Sequence, residues 1–285
     1  MGLRIQNNVE AFNAHRQLTA TAEKAAKSME KLSSGYRVNR AADDAAGLAI
    51  SEKMRAQIGG LDQAQRNAQD AVSLVQTGEG ALNEVHSMLG RIRDLKVQYA
   101  NGTLEASDKQ AIFSEVQQLG MELGDIQQQT VFNGINLLTA GDVTFQVGPE
   151  AADTITLTKT EMSGVVGTAG TGGLKELIDI GSAADVTAAD SLFGSLSLDT
   201  IDNAIKNVSN ARSAFGAAQN RLEHRLNNLA TYQENLVSSE SRIRDVDMAS
   251  EMVNFTKLQI LQQAGTSMLA QANQAPQSVL TLLRG

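Results

Sequence analysis

Three histidines, His15, His86 and His224, are the chain's only imidazoles. None stands at the His-Glu-x-x-His spacing that sets two zinc ligands on one helical face, so they read as solvent-facing or bundle-edge residues. Gly170-Thr171-Gly172-Gly173-Leu174-Lys175 has the glycines of a phosphate-cradling loop. It fails as one, because Lys175 does not directly follow a glycine and Glu176 stands where a hydroxyl would meet magnesium. The carboxylate pairs Asp43-Asp44 and Asp245/Asp247 are explained more simply as helix caps and solvated faces. No nucleophile has a base beside it in a recognisable motif. There is no cysteine, hence no disulfide framework and no thiolate metal site. The chain is therefore expected to be neither an enzyme nor the holder of a metal or cofactor.

Its 285 residues carry 24 Lys+Arg against 32 Asp+Glu, a net charge of −8. That balance excludes a general nucleic-acid binder, which needs a basic footprint, and gives a surface that repels non-specific contacts. Two prolines, no tryptophan and 4% aromatics leave a core of many small and medium contacts. The start, Met1 to Asn8, has no apolar run of the kind a cleaved secretory signal carries. Gly2 invites N-terminal acylation, but Gln6 occupies the position that wants Ser or Thr. No stretch reaches the eighteen or so apolar residues of a membrane span, so neither nucleic acid nor a membrane is an expected partner.

What remains is a positioning problem without a catalytic centre, and the elements come forward. From Ile201 to Val246, apolar residues recur at steps of three and four: Ile201, Ala204, Val208, Ala211, Phe215, Ala218, Leu222, Leu229, Tyr232, Leu236, Ile243 and Val246. Such a seam predicts one helix packed in coiled-coil fashion, about 70 Å long at 1.5 Å per residue. Arg225 is a polar interruption of it, a register device or a contact to another subunit. A first helix over Val9–Leu32 carries the seam Leu18, Ala22, Ala25, Met29 and Leu32 and ends at Gly35. Asp43 or Asp44 caps a second helix over Ala45–Ala100, whose apolar stripe drifts between two frames. Gly59-Gly60 and Gly78/Gly80 mark close contact or a bend there. Ser107 with Gln110 reads as a capping box opening a third helix over Asp108–Thr130. Phe132-Asn133-Gly134 is a turn. Period-two alternation in Val143, Phe145, Val147 and Ile155, Leu157 predicts a β-hairpin. Residues 162–194 are the least specified, with one short helix at Leu174–Ile180, and Ser197 or Asp199 caps the long helix. From Met248 onward Met252, Phe255, Leu258, Leu261, Met268, Leu269, Leu280 and Leu283 leave an apolar end that makes sense if another chain covers it. The fold class is mainly α: an elongated antiparallel helical bundle or coiled coil with a small β-hairpin region.

Several stretches are long enough to be compared with a family. Leu32-Ser33-Ser34-Gly35-Tyr36-Arg37-Val38-Asn39 and Ala42-Asp43-Asp44-Ala45-Ala46-Gly47-Leu48-Ala49-Ile50 resemble the N-terminal signature of bacterial flagellins. So do Asn67-Ala68-Gln69-Asp70 and Thr77-Gly78-Glu79-Gly80-Ala81-Leu82. At the other end Phe215 to Leu222, Glu240-Ser241-Arg242-Ile243-Arg244-Asp245 with Val246 to Ala249, Gln263-Ala264-Gly265, Met268 to Gln274 and Pro276-Gln277 resemble the same family. The resemblance covers about the first 140 and the last 90 residues.

The resemblance implies a structural subunit that polymerises helically, as a homopolymer, into the extracellular flagellar filament that drives swimming. Residues 1–44 with 248–285 would form an inner coiled coil, 45–140 with 195–247 a helical rod, and 141–194 a short hairpin and variable loop. The polymerisation interface would include Leu18, Met29, Leu32, Met252, Phe255, Leu258, Leu261, Met268, Leu269, Leu280 and Leu283. Partners would be the flagellar export apparatus and its chaperone, the filament cap and the hook-junction proteins, with export needing no cleaved signal. A Toll-like innate receptor would contact Arg91, Leu95 and Glu115. Here Gly90, Asp94 and Lys96 replace the Gln, Glu and Ala usual in recognised flagellins, and these residues serve equally well as filament packing alone. Two further readings of the chain differ in class. A hook–filament junction protein shares the terminal coiled-coil scheme but forms only a short zone, and a non-exported coiled-coil scaffold would form no regular filament.

Overall fold

The computed structural model describes residues 8–139, 141–159, 193–194 and 196–284, with the backbone alone at 159 and 275–284. The expected helix at Leu174–Ile180 and the glycine-rich Gly170–Lys175 stretch lie outside them. The chain divides into two compact units, Met1–Ile58 with Glu234–Gly285 and Gly59–Gln233. The division falls further into the two long helices than 44/45 and 247/248. The first turns of the second helix and the last turns of the long one are tied by side chains into the terminal unit.

In the terminal unit, α1 (Val9–Ser34) opens on Asn8, whose side-chain oxygen accepts the Ala11 N–H at 3.0 Å. It closes on Gly35 at φ 76°, a left-handed turn that glycine adopts without strain, with the Gly35 N–H on the Lys31 carbonyl. α1 pairs with α5 (Met248–Arg284). The Asn8 amide donates to the Ala272 carbonyl at 2.8 Å, Leu18 lies against Gly265, and the Ser28 hydroxyl meets Glu251 at 2.5 Å, so the two run antiparallel. The packed face of α1 is Leu18, Thr21, Ala22, Ala25, Ser28 and Leu32. Ser28 takes the inward place expected for Met29, which stands exposed. A hydroxyl there gives the Glu251 carboxylate a partner that a thioether cannot.

The loop after α1 is closed by backbone. The Arg37 N–H donates to the Arg244 carbonyl at 2.6 Å and the Val246 N–H to the Gly35 carbonyl at 3.0 Å. Both expected caps are visible but divided in role. Asp43 accepts the N–H groups of Arg40 (3.0 Å) and Asn39 (3.2 Å), while Asp44 accepts that of Gly47 (2.8 Å) at the start of α2 (Ala45–Tyr99). Asp247 caps α5 through Ala249 and Ser250. Buried Ser51 of α2 donates to Glu240, and Arg244 bonds Glu52 at 2.7 Å while its guanidinium lies 4.9 Å from the Tyr36 ring centroid.

The second unit packs α2, α3 (Ala106–Gln129) and α4 (Leu198–Arg244) around one core. From α4 come Ile201, Ala204, Val208, Ala211, Phe215, Ala218, Leu222 and Leu229, all buried and all on the expected seam. α2 answers with Leu61, Ala68, Val75 and then Leu82, Val85, Leu89, Ile92, the drift between frames that a 3.6-residue helix imposes. Gly78 is where the Phe215 ring enters: a Cβ there would be 3.2 Å from Phe215 Cδ1. Gly60 makes room for Pro149, whereas Gly59 and Gly80 face open space. Ser197 caps α4, its hydroxyl accepting the Asp199 N–H at 3.1 Å. The capping box expected at Ser107 and Gln110 is displaced. α3 begins at Ala106, so the box belongs to Glu105 and Asp108, and Asp108 accepts the Glu105 N–H at 3.4 Å.

After α3 comes a turn tight enough to form strands. β1 (Val131–Phe132) pairs with β2 (Ile135–Asn136) across Asn133 and Gly134, at φ 48° and 79°. Positive φ at both central residues matches the right-handed twist of the flanking strands. β3 (Gly141–Gln146) pairs antiparallel with β4 (Thr154–Lys159), Val143 facing Leu157 and Phe145 facing Ile155. Phe145, Ile155 and Leu157 of that alternation pack inward. Among the described residues no helix is long and apolar enough to cross a membrane.

Candidate functional site

The feature that stands out is a surface. α5 uses one face for α1, with Glu251, Phe255, Leu258, Gly265, Leu269 and Ala272 half-buried. Its other side carries Met252 at 50%, Ile260 at 60% and Met268 at 64% exposure, with Val253 and Leu261 also exposed. Met252, Val253, Thr256, Lys257, Ile260 and Leu261 line an apolar depression of 490 Å³. Exposing large side chains along several turns is costly, each losing about 1.5–3 kcal/mol of burial. A contiguous apolar patch of this kind marks a contact surface.

The residues assigned to polymerisation therefore sort into two sets. Leu18, Leu32, Phe255, Leu258 and Leu269 are half-buried on the sides where α1 and α5 meet. Met29, Met252, Leu261 and Met268 point outward. Leu280 and Leu283 lie where the backbone is helical, and their side chains are outside the description. Sequence periodicity could not separate the sets. A helix with apolar residues on two faces satisfies several heptad frames, and only the partner's position selects one.

Of the residues assigned to receptor contact, two meet. Arg91 of α2 and Glu115 of α3 form an exposed ion pair at 2.7 Å. The Glu115 carboxylate beside it raises the Arg91 pKa above its ordinary value. Leu95 is 2% exposed and belongs to the core under the pair, so its side chain presents no surface. Lys96 is the surprise, at 7% exposure. Its ammonium donates to the carbonyls of Phe193 and of Gly194 (3.2 Å) and lies 4.7 Å from the Phe193 ring centroid and 5.4 Å from that of Tyr99. Burial lowers its pKa. The resemblance compared it only with the Ala usual at that position in recognised flagellins. Its partners lie ninety-odd residues away, beyond what local spacing can disclose.

Arg225 is engaged within the chain. Its guanidinium donates to the Val147 carbonyl at 3.1 Å and to Asp153 at 2.7 Å, pinning the β3–β4 hairpin to α4 as a register device. The histidines assemble nothing. Among the described residues no group of three or more His, Asp or Glu could hold a metal ion.

Residues 5–142 match the family model of the bacterial flagellin N-terminal helical region, and residues 198–283 that of the C-terminal helical region. A flagellin of Halalkalibacterium halodurans is 51% identical, covering 98% of this chain and 99% of its own. One of Bacillus subtilis is 46% identical over 99% and 100%. A putative flagellar hook-associated protein from Vibrio parahaemolyticus, at 15% identity and a TM-score of 0.58 over 71% of this chain and all of that one, shares the fold.

Proposed function

The chain belongs to the bacterial flagellins, and we propose that it joins its neighbours through the outward apolar faces of α1 and α5. As a flagellin it is a structural subunit of the extracellular flagellar filament and self-polymerises to form it. The hook-junction alternative has no support from identity, since the likeness to a hook-associated protein is one of fold at 15%.

The observation that carries the reading of the ends is the exposure of Met252, Ile260 and Met268, solvated in one copy with nothing among the described residues to cover them. Residues 1–44 with 248–285 would pack as the inner layer, 45–140 with 195–247 as the rod, and 141–194 as the variable region outside. Met29 adds exposed apolar surface from α1, while Leu18, Leu32, Phe255, Leu258 and Leu269 hold the two helices together so that this surface is presented. Leu280 and Leu283 belong to the interface by family likeness. Each contact is weak, and repetition by a symmetry that does not close makes the filament. Removing residues 249–285 should leave a soluble helical monomer that does not polymerise. Filaments of that truncated chain would refute the assignment.

Export through the flagellar secretion channel, with its chaperone, and capping by the filament cap and hook-junction proteins complete the reading by family likeness. So does recognition by a Toll-like innate receptor at Arg91 and Glu115, with Leu95 supporting them from beneath. Lys96 directs its charge inward, onto the Phe193 and Gly194 carbonyls, and so does not oppose a partner at that surface. Monomer binding to purified receptor ectodomain, lost in Arg91→Ala, supports the assignment. Equal binding by the variant contradicts it.

A further inference from the structure

The groove between α4 and the β3–β4 hairpin holds charge that the fold leaves unused. It encloses 510 Å³, with Arg221, His224, Arg225 and Asn228 on its helical wall. These recur at steps of three and four residues, so they form one face along about two turns. Arg225 is engaged by Asp153 and the Val147 carbonyl. Arg221, one turn earlier, is exposed and has no acidic partner among the described residues. The groove thus offers an unpaired guanidinium, with the His224 imidazole and the Asn228 amide beside it, on a chain whose net charge is −8.

A complementary edge is present on the same molecule. The inner face of α3 carries Ile112, Phe113, Val116 and Leu123. Its outer face carries Glu115, Glu122 and Asp125. Arg91 takes Glu115, while Glu122 and Asp125 are exposed and form no ion pair among the described residues. Glu122 and Asp125 are three residues apart, as are Arg221 and His224. Each pair is separated by about 4.5 Å along its helix axis, so two carboxylates match two donor positions.

We propose that the Arg221–His224 groove of one copy receives the Glu122–Asp125 edge of α3 from the next copy in the filament. The inference rests on self-polymerisation and adds a specific contact to it. The surfaces differ, so the contact is heterologous, and repeating it yields an open helical array rather than a closed ring. It also addresses the repulsion between acidic copies. Approach is favoured where the basic groove meets a carboxylate edge, which sets direction and register as well as strength.

The test is the critical concentration for seeded polymerisation of the full chain at low salt. It is measured for the unaltered chain, Arg221→Glu, Glu122→Arg and the two combined. Each single reversal should raise the critical concentration about threefold or more, and the combination should return it to within about twofold. The difference should shrink at high salt as exposed charges are screened. Monomer melting should not move, because neither residue has an ion-pair partner among the described residues of its own chain. Single variants that polymerise like the unaltered chain, or a combination no better than the worse single, would overturn the contact. A truncated 1–248 chain that polymerises would count against the terminal-segment reading alone, since the charge variants would still differ from the unaltered chain.

Discussion

Gly78 separates two opposing effects of one methyl group. Inside a helix, Gly→Ala ordinarily stabilises by about 1 kcal/mol, because alanine has less backbone freedom to lose. At Gly80 that is the whole effect, since an added Cβ meets nothing within 4 Å. At Gly78 the Cβ would be 3.2 Å from Phe215 Cδ1 and 3.3 Å from Cζ, and nearer still to Cε1. The ring is buried among Ala211, Ala218 and Leu222 and cannot swing out into water. Such overpacking costs about 1–3 kcal/mol, which cancels or exceeds the propensity gain. Gly80→Ala should therefore raise the urea midpoint of the monomer. Gly78→Ala should leave it unchanged or lower it, the two variants differing by roughly 1–3 kcal/mol. Trimming the ring with Phe215→Leu should remove the conflict, so that Gly78→Ala becomes stabilising in that background. Equal stabilisation by Gly78→Ala and Gly80→Ala in the unaltered background would refute the packing argument.

Two further outcomes follow from single side chains. Arg225→Ala removes the bonds to Val147 and Asp153. At a half-exposed site this should cost about 1 kcal/mol and speed amide exchange in β3 and β4 before α4; uniform loss of protection would contradict the register role. Asp43 has its pKa lowered chiefly by the Arg40 N–H, with Asn39 adding to it. A depressed carboxylate stabilises above its ordinary value and loses that contribution as pH falls through the lowered one. The Asn39 and Arg40 amide signals should therefore hold steady through the ordinary carboxylate range and shift only at lower pH; a midpoint at or above the ordinary value would contradict the bonding.

The sequence made the helices legible because their apolar spacing repeats over many turns. The α4 seam from Ile201 to Leu229 is the buried face of that helix, residue for residue. The β3–β4 alternation was equally readable, since period two places Ile155 and Leu157 on one side. What escaped depended on partners distant in the chain. Met29 and Ser28 are adjacent, and only Glu251, on another helix, decides which turns inward. The burial of Lys96 escaped because its carbonyl partners, Phe193 and Gly194, return from beyond the hairpin. Leu95 sits on the core side of the helical turn that exposes Arg91, a distinction that resemblance to a motif does not carry. The capping box moved because Glu105 and Asp108 offer the same i to i+3 exchange as Ser107 and Gln110, and local pattern cannot rank the two.

Polymerisation through the outward face of α5 is tested most directly by placing charge on it. Ile260 and Met268 are exposed and lie outside the half-buried set that packs on α1, so Ile260→Lys with Met268→Lys should leave the monomer's circular dichroism and melting unchanged. Electron microscopy of the seeded, purified chain should then show helical filaments for the unaltered protein and none for the double variant. Filaments of normal length from the double variant would contradict the account.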